Sequence, residues 1–160
     1  MYAMRIFVNN LDAIMKSNSI ISYNDLSLLL DVNVNTLKGW LSENRAISLK
    51  RLDKVADTLE VPTYLLIKND LIHCDDNNIK ANNNNSQKIF ANNLQQIFIN
   101  KSKTSWNERE SLFNGKFSIP TLIAYTRRTD PRVPLLKNLD YMAECLGVEV
   151  HLMIMESAFK

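Results

Sequence analysis

The sequence predicts an all-α chain made of two tandem five-helix units. Three observations carry this. Glycine and proline are scarce, at 3 and 4 among 160 residues, which suits helices with short connections. Apolar residues recur at three- and four-residue spacing through most of the chain. Four segments also recur in order: FVNNLDAI with FANNLQQI, SYND with SWNE, VNTLKGW with IPTLIAY, and LDKVADTLEVPTYLLI with LDYMAECLGVEVHLMI. The offset is 83 residues at the start (Phe7 to Phe90) and 87 at the end (Leu52 to Leu139), so the copies differ by small insertions.

Between the copies, residues 69–86 read NDLIHCDDNNIKANNNNS, polar and asparagine-rich. Asparagine side chains compete for backbone hydrogen bonds, so this stretch reads as a linker. The expected organisation is a first unit at 1–68, a linker at 69–86 and a second unit at 87–160.

The first unit divides by its caps. Ile6, Phe7, Leu11, Ile14 and Met15 mark a helix from about Arg5 to Lys16, ended by KSNS. Ser22 opens a second helix, about Tyr23 to Leu30, with Asp25 placed for a capping box and Leu26, Leu29 and Leu30 facing inward. Asp31 marks a sharp turn, because Asp tolerates the left-handed conformation. Val32 is the expected buried turn residue, and Asn33 caps a third helix from Val34 to about Ser42, buried through Leu37, Trp40 and Leu41. Ser48 caps a fourth helix carrying Leu49, Leu52, Val55, Ala56 and Leu59, and Pro62 suits the first turn of a fifth, Thr63 to Ile67.

SYNDLSLLLDVNVNTLKGWL followed by ISLKRLDKVADTLEVPTYLL resembles the lambda-repressor-like (Cro/repressor, XRE-type) helix-turn-helix DNA-binding family. Small Ser27 in mid helix 2 and apolar Val32, Leu37 and Trp40 fit the family pattern, whereas Asp31 stands where the family prefers Gly. The resemblance implies double-stranded DNA as partner, with the third helix in the major groove. It places base readers at Val34, Asn35 and Gly39, the last silent for want of a side chain, and a phosphate contact at Tyr23 or Asn24. Asn33, Asn35, Thr36 and Lys38 are the polar residues turned away from the Leu37/Trp40 side. Asn suits adenine and Lys suits guanine or phosphate. Arg45, with Lys50 or Arg51, is placed to grip phosphate.

The second unit follows the pattern less closely. Its helices are expected near Lys88 to Asn100, after Ser105, from Ile119 to Arg127, and through Leu135, Leu139, Met142, Ala143 and Leu146, with FNGKF as the turn. Gly147 ends the fourth, and VEVHLMIM alternates in a way that fits a short strand as well as a helix. Thr121, Tyr125, Arg127 and Arg128 are its candidate DNA face, but apolar Ile123 stands where the first unit has Lys38. DNA binding, and dimerisation or partner binding, both remain open for this unit.

Charge and chemistry narrow the alternatives. Residues 1–68 carry 8 basic and 7 acidic side chains and residues 87–160 carry 10 and 7, so the chain is only mildly basic at +2. Cys74 and Cys145 lie in unrelated contexts, which fits a reduced cytoplasmic protein. No apolar run approaches membrane-spanning length, and no basic, apolar leader opens the chain. There is no glycine-rich phosphate loop, His73–Asp76 (HCDD) has no matching second ligand cluster, and His151 sits in an apolar run. No metal, cofactor or enzymatic activity is expected. The expected function is that of a sequence-specific transcriptional regulator, of phage or mobile-element repressor type. It would act as a homodimer or with both units together, because one unit makes few contacts. The alternative is a protein-interaction module, resembling anti-CRISPR and other anti-defence proteins that also repress their own promoter, or an antitoxin-like partner.

Overall fold

A computed structural model describes residues 2–69 and 85–160. Among them are eight α-helices and two 3-10 turns. Among the described residues no strand forms, and an isolated bridge joins Ser48 to Leu135. The bulk of the expected linker, with Cys74 and the HCDD segment, lies outside the described residues.

Helix α1 spans Tyr2–Ser17. It starts earlier than its apolar spacing suggests because Ala3 and Met4 are fully buried. Ser19 then turns left-handed (φ 56°), and the N–H of Ile20 bonds back to the carbonyl of Met15 at 2.9 Å, closing the helix. Helix α2 covers Tyr23–Leu29, with the Ser22 hydroxyl accepting from the Asp25 N–H at 3.1 Å. The other arm of the expected capping box differs: the Asp25 carboxylate accepts from the Ser22 hydroxyl at 2.7 Å. Asp is a methylene shorter than the Glu that completes such a box elsewhere in the chain.

Asp31 is left-handed (φ 49°), as its place in the turn requires. Its N–H bonds to Leu28 O and that of Val32 to Ser27 O at 3.0 Å, so the turn is a Schellman motif with Asp where Gly is commonest. Val32 is half-buried against the core. Helix α3 follows at Val34–Leu41 and α4 at Leu49–Thr58, with the Ser48 side chain capping the latter through Arg51 N–H. Pro62 precedes a 3-10 turn at Thr63–Ile67. One inward assignment is corrected: Leu29 is 44% exposed, because it sits one residue off the buried Leu26/Leu30 stripe. Leu41 is only half-buried.

The second half runs in the same order: α5 at Ser86–Asn100, α6 at Trp106–Ser111, α7 at Ile119–Tyr125, α8 at Leu136–Leu146 and a 3-10 turn at Val150–Ile154. Asn85 caps α5, so the helix begins inside the stretch read as linker. Ser105 and Glu108 form a full capping box. The short strand considered for VEVHLMIM is not formed. No partner strand lies beside it among the described residues, and the 3-10 turn buries Val150, His151, Met153 and Ile154 together. Leu135 is the half-exposed residue before α8, and Leu136 takes the buried place.

A buried asparagine ties each first helix to the turn that closes its half. The Asn10 amide donates to the carbonyls of Leu65, Leu66 and Lys68 at 3.2, 3.0 and 3.2 Å. The Asn93 amide donates to those of Leu152, Met153 and Met155 at 3.1, 3.1 and 2.9 Å. Helix α1 packs on α8, α4 on α5, and the two 3-10 turns on each other, so the apolar core is continuous across the halves.

Candidate nucleic-acid interface

Helix α3 is fixed from behind by two buried anchors. Leu37 is completely buried, and the Trp40 ring meets Phe7 of α1 edge-on at 6.0 Å. The Asn33 side-chain oxygen accepts from the Asn35 N–H at 2.8 Å, so Asn33 is spent as a cap. Asn35 and Lys38 are exposed, while Val34 and Thr36 are half-buried at the edge of the outer face. Tyr23 and Asn24 are exposed on the first turn of α2, and Lys50 is exposed on the first turn of α4.

Gly39 is not simply a silent position. The Arg45 N–H bonds to Gly39 O at 3.0 Å, and a β-carbon placed at Gly39 would meet Arg45 Cδ at 2.8 Å and Cγ at 3.0 Å. The Arg45 stem therefore lies across α3 where a side chain at position 39 would stand. Residues three and four apart share a helix face, so Asn35, Lys38 and the Arg45 stem at Gly39 form one exposed row. Glu43, which starts the loop left-handed (φ 56°), is 3.6 Å from Arg5 and is drawn off that row. A glycine inside an eight-residue helix costs about 1 kcal/mol against alanine, and that anomaly was the sequence signal for the close approach.

The second half treats its four predicted residues differently. Arg127 and Arg128 are exposed just beyond α7. Thr121 is half-buried and its hydroxyl is 3.0 Å from that of Ser118. Tyr125 is corrected: it is 3% exposed, edge-on to Phe90 at 5.8 Å and Phe117 at 6.1 Å, so it belongs to the core. The ring's apolar area decides its place, and Trp40, paired with it in VNTLKGW and IPTLIAY, is buried in the same way.

Three further residues gather around Ile123, which is 37% exposed. Ile99 (65% exposed), Trp106 and Arg109 line a shallow 290 Å³ cavity with it. The Arg109 guanidinium lies 4.5 Å from the Trp106 ring centre and 5.1 Å from that of Phe98. Ile99 and Ile123 lie 83 and 85 residues after Lys16 and Lys38, so apolar side chains stand at these places in the second half where the first has cations.

Elsewhere the polar chemistry is structural. The buried His151 ring lies 3.3 Å from Glu149, and burial pulls its pKa below the ordinary value. Among the described residues no group of three His, Cys, Asp or Glu side chains could hold a metal ion, and no helix is long and apolar enough to cross a membrane.

Residues 10–62 match the family model of the Cro/C1-type helix-turn-helix DNA-binding domain, from the middle of α1 through Pro62. No curated protein and no solved structure matches the chain.

Proposed function

We propose, for a chain whose residues 10–62 are a Cro/C1-type helix-turn-helix DNA-binding domain, that it is a sequence-specific transcriptional regulator, a repressor of phage or mobile-element type. The observation that carries this is the exposed row on α3. Asn35 offers an amide to the paired donor and acceptor of adenine, and Lys38 offers a cation to guanine or phosphate. Val34 at the edge suits a thymine methyl. Arg45 within the row, and Tyr23, Asn24 and Lys50 exposed on the first turns of α2 and α4, are suited to grip phosphates. Asn33 and Thr36 set and border the helix start.

The test is a gel shift on a duplex selected by the full chain, with Asn35 and Lys38 both changed to Ala. Specific binding is expected to vanish while circular dichroism shows unchanged helicity. Undiminished affinity would sink the assignment.

A second reading has its own support in the apolar patch at Ile99, Trp106 and Ile123. As a protein-docking face it fits an anti-defence protein that also represses its own promoter, or an antitoxin-like partner. Changing Ile99 and Ile123 to Lys and repeating both a nuclease pull-down and the gel shift separates the two. The docking reading requires capture to fall while DNA affinity holds.

A further inference from the structure

The contacts between the halves come in reciprocal pairs. Helix α1 packs on α8, and α5 packs on α4. The Ala3 N–H donates to Asp140 Oδ1 at 2.8 Å, and the Ser86 N–H donates to Asp53 Oδ2 at 3.1 Å. Ala3 and Ser86 are 83 positions apart, like Phe7 and Phe90, and Asp53 and Asp140 are 87 apart, like Leu52 and Leu139. Each bond is thus the image of the other with the halves exchanged. Two contacts map onto themselves: the 3-10 turns meet each other, and Ser48 bridges Leu135, its own counterpart 87 positions on. A residue meets its own counterpart only on a two-fold axis. Reciprocal pairing around such an axis is the signature of an isologous dimer interface, here made within one chain.

We infer that a single chain is a built-in pseudodimer that lays both helix-turn-helix faces on one duplex and recognises a non-palindromic site. The inference rests on the DNA reading of α3 proposed above. Helix α3 ends at Leu41, seven residues before Ser48 on the axis. Seven residues reach at most about 25 Å. Half-sites one helical turn apart need each recognition helix about 17 Å from the axis, within that reach. The two halves are unequal. The first presents Asn35, Lys38 and Arg45. At the matching positions of the second, Pro120 stands for Asn35 and Ile123 for Lys38, while Arg132, whose N–H bonds to Ala124 O at 2.8 Å as that of Arg45 does to Gly39 O, is exposed together with Arg127 and Arg128. The first half discriminates bases, and the second grips the phosphates of the adjacent half-site whatever its sequence.

The test uses the full chain and a duplex it selects from a random pool. Sedimentation should show one chain free and one chain per duplex. Hydroxyl-radical footprinting should show two protected patches about 10 bp apart on one face, with base changes mattering in only one. Changing Arg127 and Arg128 to Ala should weaken selected and random duplexes by the same factor, and flatten the log affinity against log salt slope by about 2. Two chains on a selected palindrome would overturn the inference and leave the DNA reading standing. So would a single protected patch with binding indifferent to Arg127 and Arg128. No enriched sequence and no shift would overturn both.

Discussion

Replacing Asn10 with Ala tests how each half is closed. The amide has two N–H groups shared among three carbonyls at 3.0–3.2 Å, all at a residue only 6% exposed. Two net hydrogen bonds lost, with carbonyls left dry, should cost about 2–3 kcal/mol. For a chain of this size that is a fall in Tm of about 5–10 °C. Asn93→Ala should cost the same, and the double variant about the sum, because the two sites share no partner. Asn10→Asp sharpens the test. A carboxylate facing three carbonyls favours its protonated form, so its folded pKa rises above the unfolded value. The variant should then lose stability as pH climbs above about 4, by up to about 1.4 kcal/mol per unit until the folded value is reached. Urea unfolding followed by circular dichroism measures all of this. An Asn10→Ala change below about 0.5 kcal/mol would mean that the closing turns hold without their asparagines, and the reasoning would fail.

Gly39→Ala should raise helix stability by up to about 1 kcal/mol, yet weaken DNA binding, because the new methyl displaces the Arg45 stem. Thermal melts and gel shifts on the same preparation check both signs, and a gain in Tm with unchanged affinity would remove Arg45 from the interface. Burial pushes the carboxyls of Asp53 and Asp140 above their ordinary value of 3.8, against the pull of hydrogen bonds from Ser86 and Thr63 on the first and from Ala3 on the second. A raised folded value means their contribution is full below 3.8 and is lost as pH rises through the folded value. Relative to an Asp53→Asn/Asp140→Asn variant, the wild type should therefore lose stability from pH 4 upward, and parallel unfolding profiles would contradict this.

The helix starts were legible because cap chemistry is local. Ser22, Asn33, Ser48 and Ser105 each accept from a backbone N–H two or three residues on, and nothing distant alters that. The left-handed turn at Asp31 was legible for the same reason. What misled was residue type read without neighbours: Leu29 for its apolarity, VEVHLMIM for its alternation, and Tyr125 set on the outer face although it pairs with buried Trp40. The row on α3 was half visible. Asn35 and Lys38 follow from helical spacing. The Arg45 stem depends on the path of the loop after α3, which begins with Glu43 in a conformation its sequence does not demand. Contacts such as Ala3 with Asp140 join residues 137 apart, and no local pattern announces them.

The continuous core has a consequence for synthesis. On the ribosome the first half emerges with the surfaces that α5, α8 and the second 3-10 turn will cover still bare to water. The shared core is completed only when α8 and the second 3-10 turn arrive, so a chain cut short in its second half leaves apolar surface of the first uncovered.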